Sequence, residues 1–272
     1  MEHLALGWVL LLAGASVGAR PAGSVLRQRD LDVIEEVPMD MALSSFDDQY
    51  WGCRNRMEAE LKELNRTEFA NNRVYAENWR RAAVIWRKQQ RNAAHPQVLT
   101  RDQAIAVLAY TLKSSLHCQF NAATREGGSS SEHYLRSFHF KTLHFLLSQA
   151  LQRLRESQPP SPRCHHVYRG VRDVRFTARR HQTVRFGHFA STSLQKKVAQ
   201  RFGQGTFFEV ETCYGVPIKH FSNFSRENEV LIPPFETFNV TSIARNGGGT
   251  RIQLRSQGTY SKYNCELVKG EG

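Results

Sequence analysis

The 272-residue chain lacks several features that would fix its class at once. Its five cysteines include no CxxC pair, which speaks against the common zinc sites. The apolar run at residues 4–15, LALGWVLLLAGA, is too short to span a bilayer. No hydrophobic tail follows Cys265, so a GPI anchor is not expected. Lysine and arginine outnumber the acids and give a net charge of +12, yet no block of five basic residues occurs. The charge therefore reads as a device for solubility and for attracting acidic partner proteins, not as a site in itself. A lone Gly203-Gln204-Gly205 lacks the third glycine of a Rossmann fingerprint and the helix that should follow it. No internal repeat is visible.

What remains is an ordinary globular composition, 40% hydrophobic and 10% aromatic. Residues 1–19 have the form of a secretory signal peptide, with small residues at Val17-Gly18-Ala19, although Met1-Glu2-His3 carries no Lys or Arg. Three sequons, at Asn65, Asn223 and Asn239, agree with export. In an oxidising compartment Cys53, Cys118, Cys164, Cys213 and Cys265 should give two disulfides and one leftover thiol. Spacing alone does not choose the pairing.

Two regimes divide the chain. Residues 54–92 carry apolar residues at helical spacing: Met57, Leu61 and Leu64, then Val74, Trp79, Ala83 and Trp86. Thr100-Arg101-Asp102-Gln103 has the form of a capping box and predicts a largely buried helix from Ala104 to Leu112. Gly127-Gly128 with Ser129, Ser130 and Ser131 predicts a loop, and Phe138–Leu154 another helix. Ser157-Gln158-Pro159-Pro160-Ser161-Pro162 ends it. Beyond Pro162 the period changes to that of strands: 166–171, 184–191, 206–212, 229–232, 235–243 and 251–255, the last two joined through Gly247-Gly248-Gly249. Helices followed by strands define an α+β fold: about 54–157 helical, about 163–265 β-rich.

Candidate chemistry lies in the β half. Glu227 and Glu229 flank one residue just before the apolar run Val230-Leu231-Ile232, which Pro233-Pro234 stops. In an extended chain both side chains would enter one cleft, where like charge raises one pKa. Taken alone, the pair equally describes two solvated glutamates at a strand start. Arg169, in Tyr168-Arg169-Gly170, could grip a pyrophosphate, and Ser191, in Phe189-Ala190-Ser191-Thr192-Ser193, could orient a carboxylate. Each is weak singly. Adjacent His165 and His166 would diverge on a strand, so they make no metal site.

Together, in this order, these motifs resemble the vertebrate ecto-ADP-ribosyltransferases of the Arg–Ser–Glu-x-Glu class, and specifically a secreted member without a GPI anchor. The resemblance extends over nearly the whole mature chain: Phe46-Asp47-Asp48-Gln49-Tyr50-x-Gly52-Cys53, Ala109-Tyr110-Thr111, Phe140-Lys141-x-Leu143-His144-Phe145, Tyr168-Arg169-Gly170-Val171, the Phe189–Ser193 run, and Glu229–Pro234. It implies a single domain over 20–272 with a β-sandwich-like NAD-binding core, and NAD as a substrate with no metal. It also implies arginine-containing acceptor proteins, not nucleic acid or a membrane anchor, and a monomer in the secreted fluid or a secretory-granule lumen.

By the same resemblance Arg169 would bind the NAD phosphates, and the Gly170 backbone would bond the nicotinamide amide where a side chain would crowd the ring. Ser191 would hold Glu229, the catalytic carboxylate, and Glu227 would engage the acceptor guanidinium. Phe202, at the end of a helix over Lys196–Phe202, would stack near the nicotinamide or serve as plain core. Bridges would join Cys53 to Cys265 and Cys164 to Cys213, with Cys118 left free. Two other readings stand beside the transferase: an NAD glycohydrolase, in which water replaces arginine, and a catalytically silent cationic binding protein on the same fold.

Overall fold

Residues 35–90, 98–159 and 164–269 are described by the structure, a computed structural model. The expected leader at 1–19 lies outside them, as do Arg91 and Asn92 of the first expected helix.

The helical part holds α1 (Arg54–Asn71), α2 (Arg73–Gln90), α3 (Arg101–Thr111), α4 (Leu116–Gly127), α5 (Ser131–Ser137) and α6 (Lys141–Glu156). The single helix expected over 54–92 is two. Asn72 leaves helical geometry, and its side chain accepts from Tyr75 N at 2.9 Å, which caps the second helix. The capping box before α3 forms as expected, with Gln103 N and the Gln103 side chain both engaged by Thr100. Every α3 residue from Gln103 to Thr111 is buried. The helix expected from Phe138 begins three residues later, at Lys141. Its first amides, Lys141 N and Thr142 N, are held by the buried carboxylate of Glu68 on α1 at 2.5 and 3.1 Å. An acid across the fold thus does what a local cap usually does. Helices α4 and α5 have no counterpart in the sequence reading.

In the β part lie β2 (His165–Val171), β3 (Val174–Thr177), β4 (Thr183–Val184), β5 (Ala190–Ser193), β6 (Thr206–Thr212), β7 (Val216–Pro217), β8 (Glu229–Ile232), β9 (Glu236–Asn246) and β10 (Gly249–Thr259), with the short helix α7 (Lys196–Gln200) after β5. An early strand, β1 (Glu35–Pro38), pairs in parallel with β3. The others form one mixed sheet in the order β4-β9-β10-β6-β2-β5-β8-β7. A single pairing, Tyr168 with Ser193, joins β2 to β5 and divides the sheet into two groups. Val167, Phe208 and Val210 from one group meet Ala190, Val230 and Ile232 from the other in one buried cluster. That is the sandwich-like core.

The strand expected over 184–191 is broken into β4 and β5. Gly187 takes φ +66, and a Cβ there would come within 2.4 Å of Ala42 Cβ. Arg185 turns inward to an ion pair with Asp47 at 2.6 Å, both side chains fully buried. Disulfides join Cys53 to Cys265 and Cys164 to Cys213, and Cys118 is a free, exposed thiol. Cys164, Cys213 and Glu211 cluster like metal ligands, but both sulfurs are committed to their bridge. Asn65 is half-buried within α1 and Asn239 half-buried within β9, whereas Asn223 is exposed on a loop.

Candidate active site

A cleft of about 550 Å³ is lined by residues of both strand groups. The sheet provides Tyr168, Arg169 and Gly170 from β2, Ser191 and Ser193 from β5, and Glu229 from β8. From the helical part come Tyr110, His117 and Asn121, while Phe202 and Phe224 stand at the rim. All four polar residues singled out in the sequence, Arg169, Ser191, Glu227 and Glu229, therefore line one space.

Glu229 opens β8, where its register partner is Ser193. It is only 7% exposed. Burial pushes its carboxyl up, and the neighbouring Glu227 pushes the same way. Hydrogen bonds from Ser191 and Ser222 and the charge of Arg169 act against that rise. The Ser222 hydroxyl donates to Glu229 Oε2 at 3.2 Å.

Glu227 reaches the same cleft by another route than the one the sequence suggested. It ends a 3-10 turn, Ser225–Glu227, not an extended segment. Asn228 then takes the left-handed conformation at φ 44 and turns the chain into β8. Asparagine tolerates that geometry better than most residues. The Ser193 hydroxyl donates to Glu227 O at 2.6 Å and fixes the turn to β5. Partial burial pushes the Glu227 carboxyl up, against the pull of Arg201.

Arg169 lies within β2, and its Nη1 donates to Ser191 O at 2.7 Å. Ser191 sits second in its strand, not at the end. Burial pushes the Arg169 guanidinium down, and Arg125 adds to this, while Tyr110 and Glu229 oppose it. An arginine nevertheless stays charged, so the cleft joins one half-buried cation to a pair of carboxylates.

Packing supplies a reason for Gly170 beside the expected one. A Cβ there would lie 2.3 Å from Ala199 O and 2.6 Å from Gly203 O. The missing side chain makes room for α7 and the turn after it. Helix α7 itself stops at Gln200, and Phe202 lies beyond it, 54% exposed at the cleft edge. It is not core.

Sequence reasoning missed Ser222, Tyr110, Asn121 and His117. Ser222 carries no local signal, because tertiary folding alone brings it to Glu229. Tyr110 stands in the Ala109-Tyr110-Thr111 motif, where its role could not be read. Its hydroxyl donates to Phe189 O at 2.9 Å, two residues before Ser191. Thr111 Oγ1 accepts from Asn223 N at 3.0 Å and ties the Ser222–Asn228 loop to α3.

A helical part beside a mixed sheet in two strand groups, with an arginine, a serine and two carboxylates around one cleft, defines a class. Residues 39–262 match the family described as NAD:arginine ADP-ribosyltransferase, and the chain belongs to that family of enzymes. It is 56% identical over 272 residues to NAD(P)(+)--arginine ADP-ribosyltransferase 2 of Gallus gallus, covering 100% of this chain and 86% of the relative. To the GPI-linked NAD(P)(+)--arginine ADP-ribosyltransferase 1 of Homo sapiens it is 48% identical, over 99% and 86% of the two chains. Among solved structures it resembles the eucaryotic mono-ADP-ribosyltransferase ART2.2, with a TM-score of 0.72 and 36% identity over 84% of this chain and 98% of that one. A variant of that protein has been solved in complex with NAD.

Proposed function

We propose that this protein cleaves NAD at the nicotinamide–ribose bond and transfers ADP-ribose to the guanidinium of an acceptor arginine. The observation that carries the reading is the buried Glu229 carboxylate, which shares a cleft with the half-buried Arg169 and the half-buried Glu227. In this reading Arg169 grips the pyrophosphate. A guanidinium has more donors than its one bond to Ser191 uses. The Gly170 backbone takes the nicotinamide amide, and Phe202 covers the ring from the rim.

As nicotinamide leaves with the bonding electrons, positive charge builds on the ribose. Glu229, bonded to the ribose 2′-hydroxyl and steadied by Ser191 and Ser222, stabilises that charge. Preorganised electrostatics of this kind contribute roughly 10²–10³ in rate. Glu227 orients the acceptor guanidinium and accepts the proton it loses as the new N–C bond forms. Its raised pKa makes it a better base than a free glutamate.

Incubation of the pure protein with NAD and agmatine, followed by assay of free nicotinamide and adduct, tests this. Both products are expected in equal amounts. Nicotinamide without adduct would make the protein a glycohydrolase, and neither product would leave a binding protein. For Glu227→Gln the adduct is expected to fall at least tenfold while nicotinamide release persists. Equal loss of both would defeat that division of roles.

We further propose that residues 20–272 act as one ADP-ribosyltransferase domain, exported through the leader at 1–19 and working as a monomer outside the cytosol. Two disulfides fit an oxidising compartment. The exposed Asn223 fits a glycan acceptor. Among the described residues no helix is long and apolar enough to cross a membrane. Intact mass and size-exclusion chromatography of the product exported from expressing cells check all three points: a retained leader, membrane-bound product or a dimer would contradict them.

A further inference from the structure

The fold treats the three sequons differently. Asn65 lies within α1, and its Oδ1 accepts from the Tyr75 hydroxyl at 3.3 Å. Asn239 lies within β9 between two strand partners, Thr183 and Arg255. Both are half-buried. Asn223 is exposed, on the loop that leads into the Ser225–Glu227 turn. The bond that ties it to α3 is made by its backbone N, to Thr111 Oγ1 at 3.0 Å, so this tie does not depend on its side chain.

The place of this sequon has a consequence. A second recess, of about 340 Å³, lies beside the main cleft. Asn223 and Arg226 line the recess alone, whereas Phe224 and Glu227 line both spaces. Glu227 is therefore open to the cleft on one side and to the recess on the other. Four residues span at most about 14 Å even when fully extended, which bounds the distance from Asn223 to Glu227. An N-linked glycan is bulky and solvated. Its first two sugars alone are longer than an arginine side chain. On Asn223 it would stand over the recess side of Glu227.

We propose that an N-glycan on Asn223 screens the acceptor side of the site, so that small or flexible arginine substrates enter and arginines fixed on folded proteins are turned away. This rests on the reading of Glu227 as the group that meets the acceptor, and on export. The modification joins Asn223 Nδ2 to the anomeric carbon of an oligosaccharide carried on a lipid pyrophosphate. The lipid pyrophosphate leaves with the bonding electrons, and the amide gives up one proton. The path of the dinucleotide is untouched, because Asn223 does not line the cleft. A free peptide threads past a mobile glycan, whereas a folded surface must push it aside. Confining the glycan costs entropy like that of fixing rotamer-rich side chains, about tenfold in rate.

The test compares the full chain exported from cultured animal cells with Asn223→Gln and Ser225→Ala. Each variant removes the sequon and keeps the backbone bond of residue 223 to Thr111. Peptide mapping by mass spectrometry reads the occupancy of Asn223. The acceptors are agmatine, a heptapeptide with one central arginine, and the same heptapeptide set in an exposed loop of a folded domain with no other arginine. Without the glycan, kcat/KM for the domain-borne arginine is expected to rise about tenfold. The values for agmatine and the free peptide, and KM for NAD, should change less than about twofold. If one variant does not fold, the other carries the comparison, and enzymatic removal of the glycan from the wild-type product repeats it. An unmodified Asn223, an unchanged ratio between domain-borne and free peptide, or an equal rise for agmatine overturns the proposal. Glu227→Gln run alongside separates the two levels. Full transfer to agmatine in that variant would defeat the reading of Glu227, whereas the peptide ratio alone decides the screen.

Discussion

Two buried glutamates bracket the Pro233-Pro234 turn, and they are built differently. Glu236 opens β9, fully buried. Its oxygens accept from Thr212 Oγ1, Cys213 N, Tyr214 N and Ser256 Oγ, at 2.5, 2.8, 3.2 and 2.6 Å. Glu229 opens β8, nearly as buried, and receives two hydroxyls while facing a second carboxylate. Burial pushes both carboxyls up. The difference lies in what remains to be bonded. Glu236 has its acceptor capacity filled by the protein and clamps the segment that carries the Cys164–Cys213 bridge. Glu229 fronts a cleft with capacity left over. Burial of an acid does not mark a reactive group; burial with room for one more partner does.

Substitutions can break this contrast. Glu229→Gln should lower NAD cleavage by roughly 10²–10³ while leaving the fold intact; a loss below tenfold would put Glu229 on a level with a structural acid. Glu236→Ala should do the reverse. It strands four donors and is expected to cost about 3 kcal/mol, on the order of 10 °C in Tm, with activity per folded molecule kept. Thermal melts alongside active-site titration check it, and unchanged Tm would refute the clamp.

The smallest effect concerns pH. A carboxyl whose native pKa lies above its unfolded value opposes folding once ionised. That penalty is full above the native pKa and vanishes as pH falls towards the unfolded value, about 4.3. Glu229→Gln should therefore raise Tm at neutral pH and lose its advantage near pH 4. A Tm difference that does not change with pH would mean that Glu229 is not held ionised at a cost.

Much of this was legible beforehand, for identifiable reasons. The capping box at Thr100, the β9–β10 hairpin at Gly247–Gly249 and strands β6 and β8 are local patterns, and each appears where periodicity put it. Both disulfides pair as the family resemblance implied, which spacing could not decide. Interruptions were not legible. Asn72 splits one helix by capping the next, Glu68 starts α6 from a distant helix, and Arg185 leaves its strand to meet Asp47. In the last two a polar side chain is satisfied by a partner that only the folded chain supplies, whereas the Asn72 cap is local and was hidden by the apolar spacing that runs through it. The site shows the same division. Arg169, Ser191, Glu227 and Glu229 carry sequence motifs, whereas Ser222 reaches Glu229 purely through tertiary placement.

The close seating of Gly170 under Ala199 O and Gly203 O settles which wall of the cleft can give. With carbonyls resting against the strand backbone, α7 cannot approach β2 further, and no side chain lies between them to slide. That wall of the cleft cannot close further. Any narrowing around a bound dinucleotide would therefore fall to the loop at Ser222–Asn228, which is fastened by point contacts such as those of Asn223 N to Thr111 and Ser193 to Glu227 O. On the proposed reading of Glu227, acceptor choice and the fit of the dinucleotide share this one loop, so a substitution that reshapes it to retune the first is expected to alter the second.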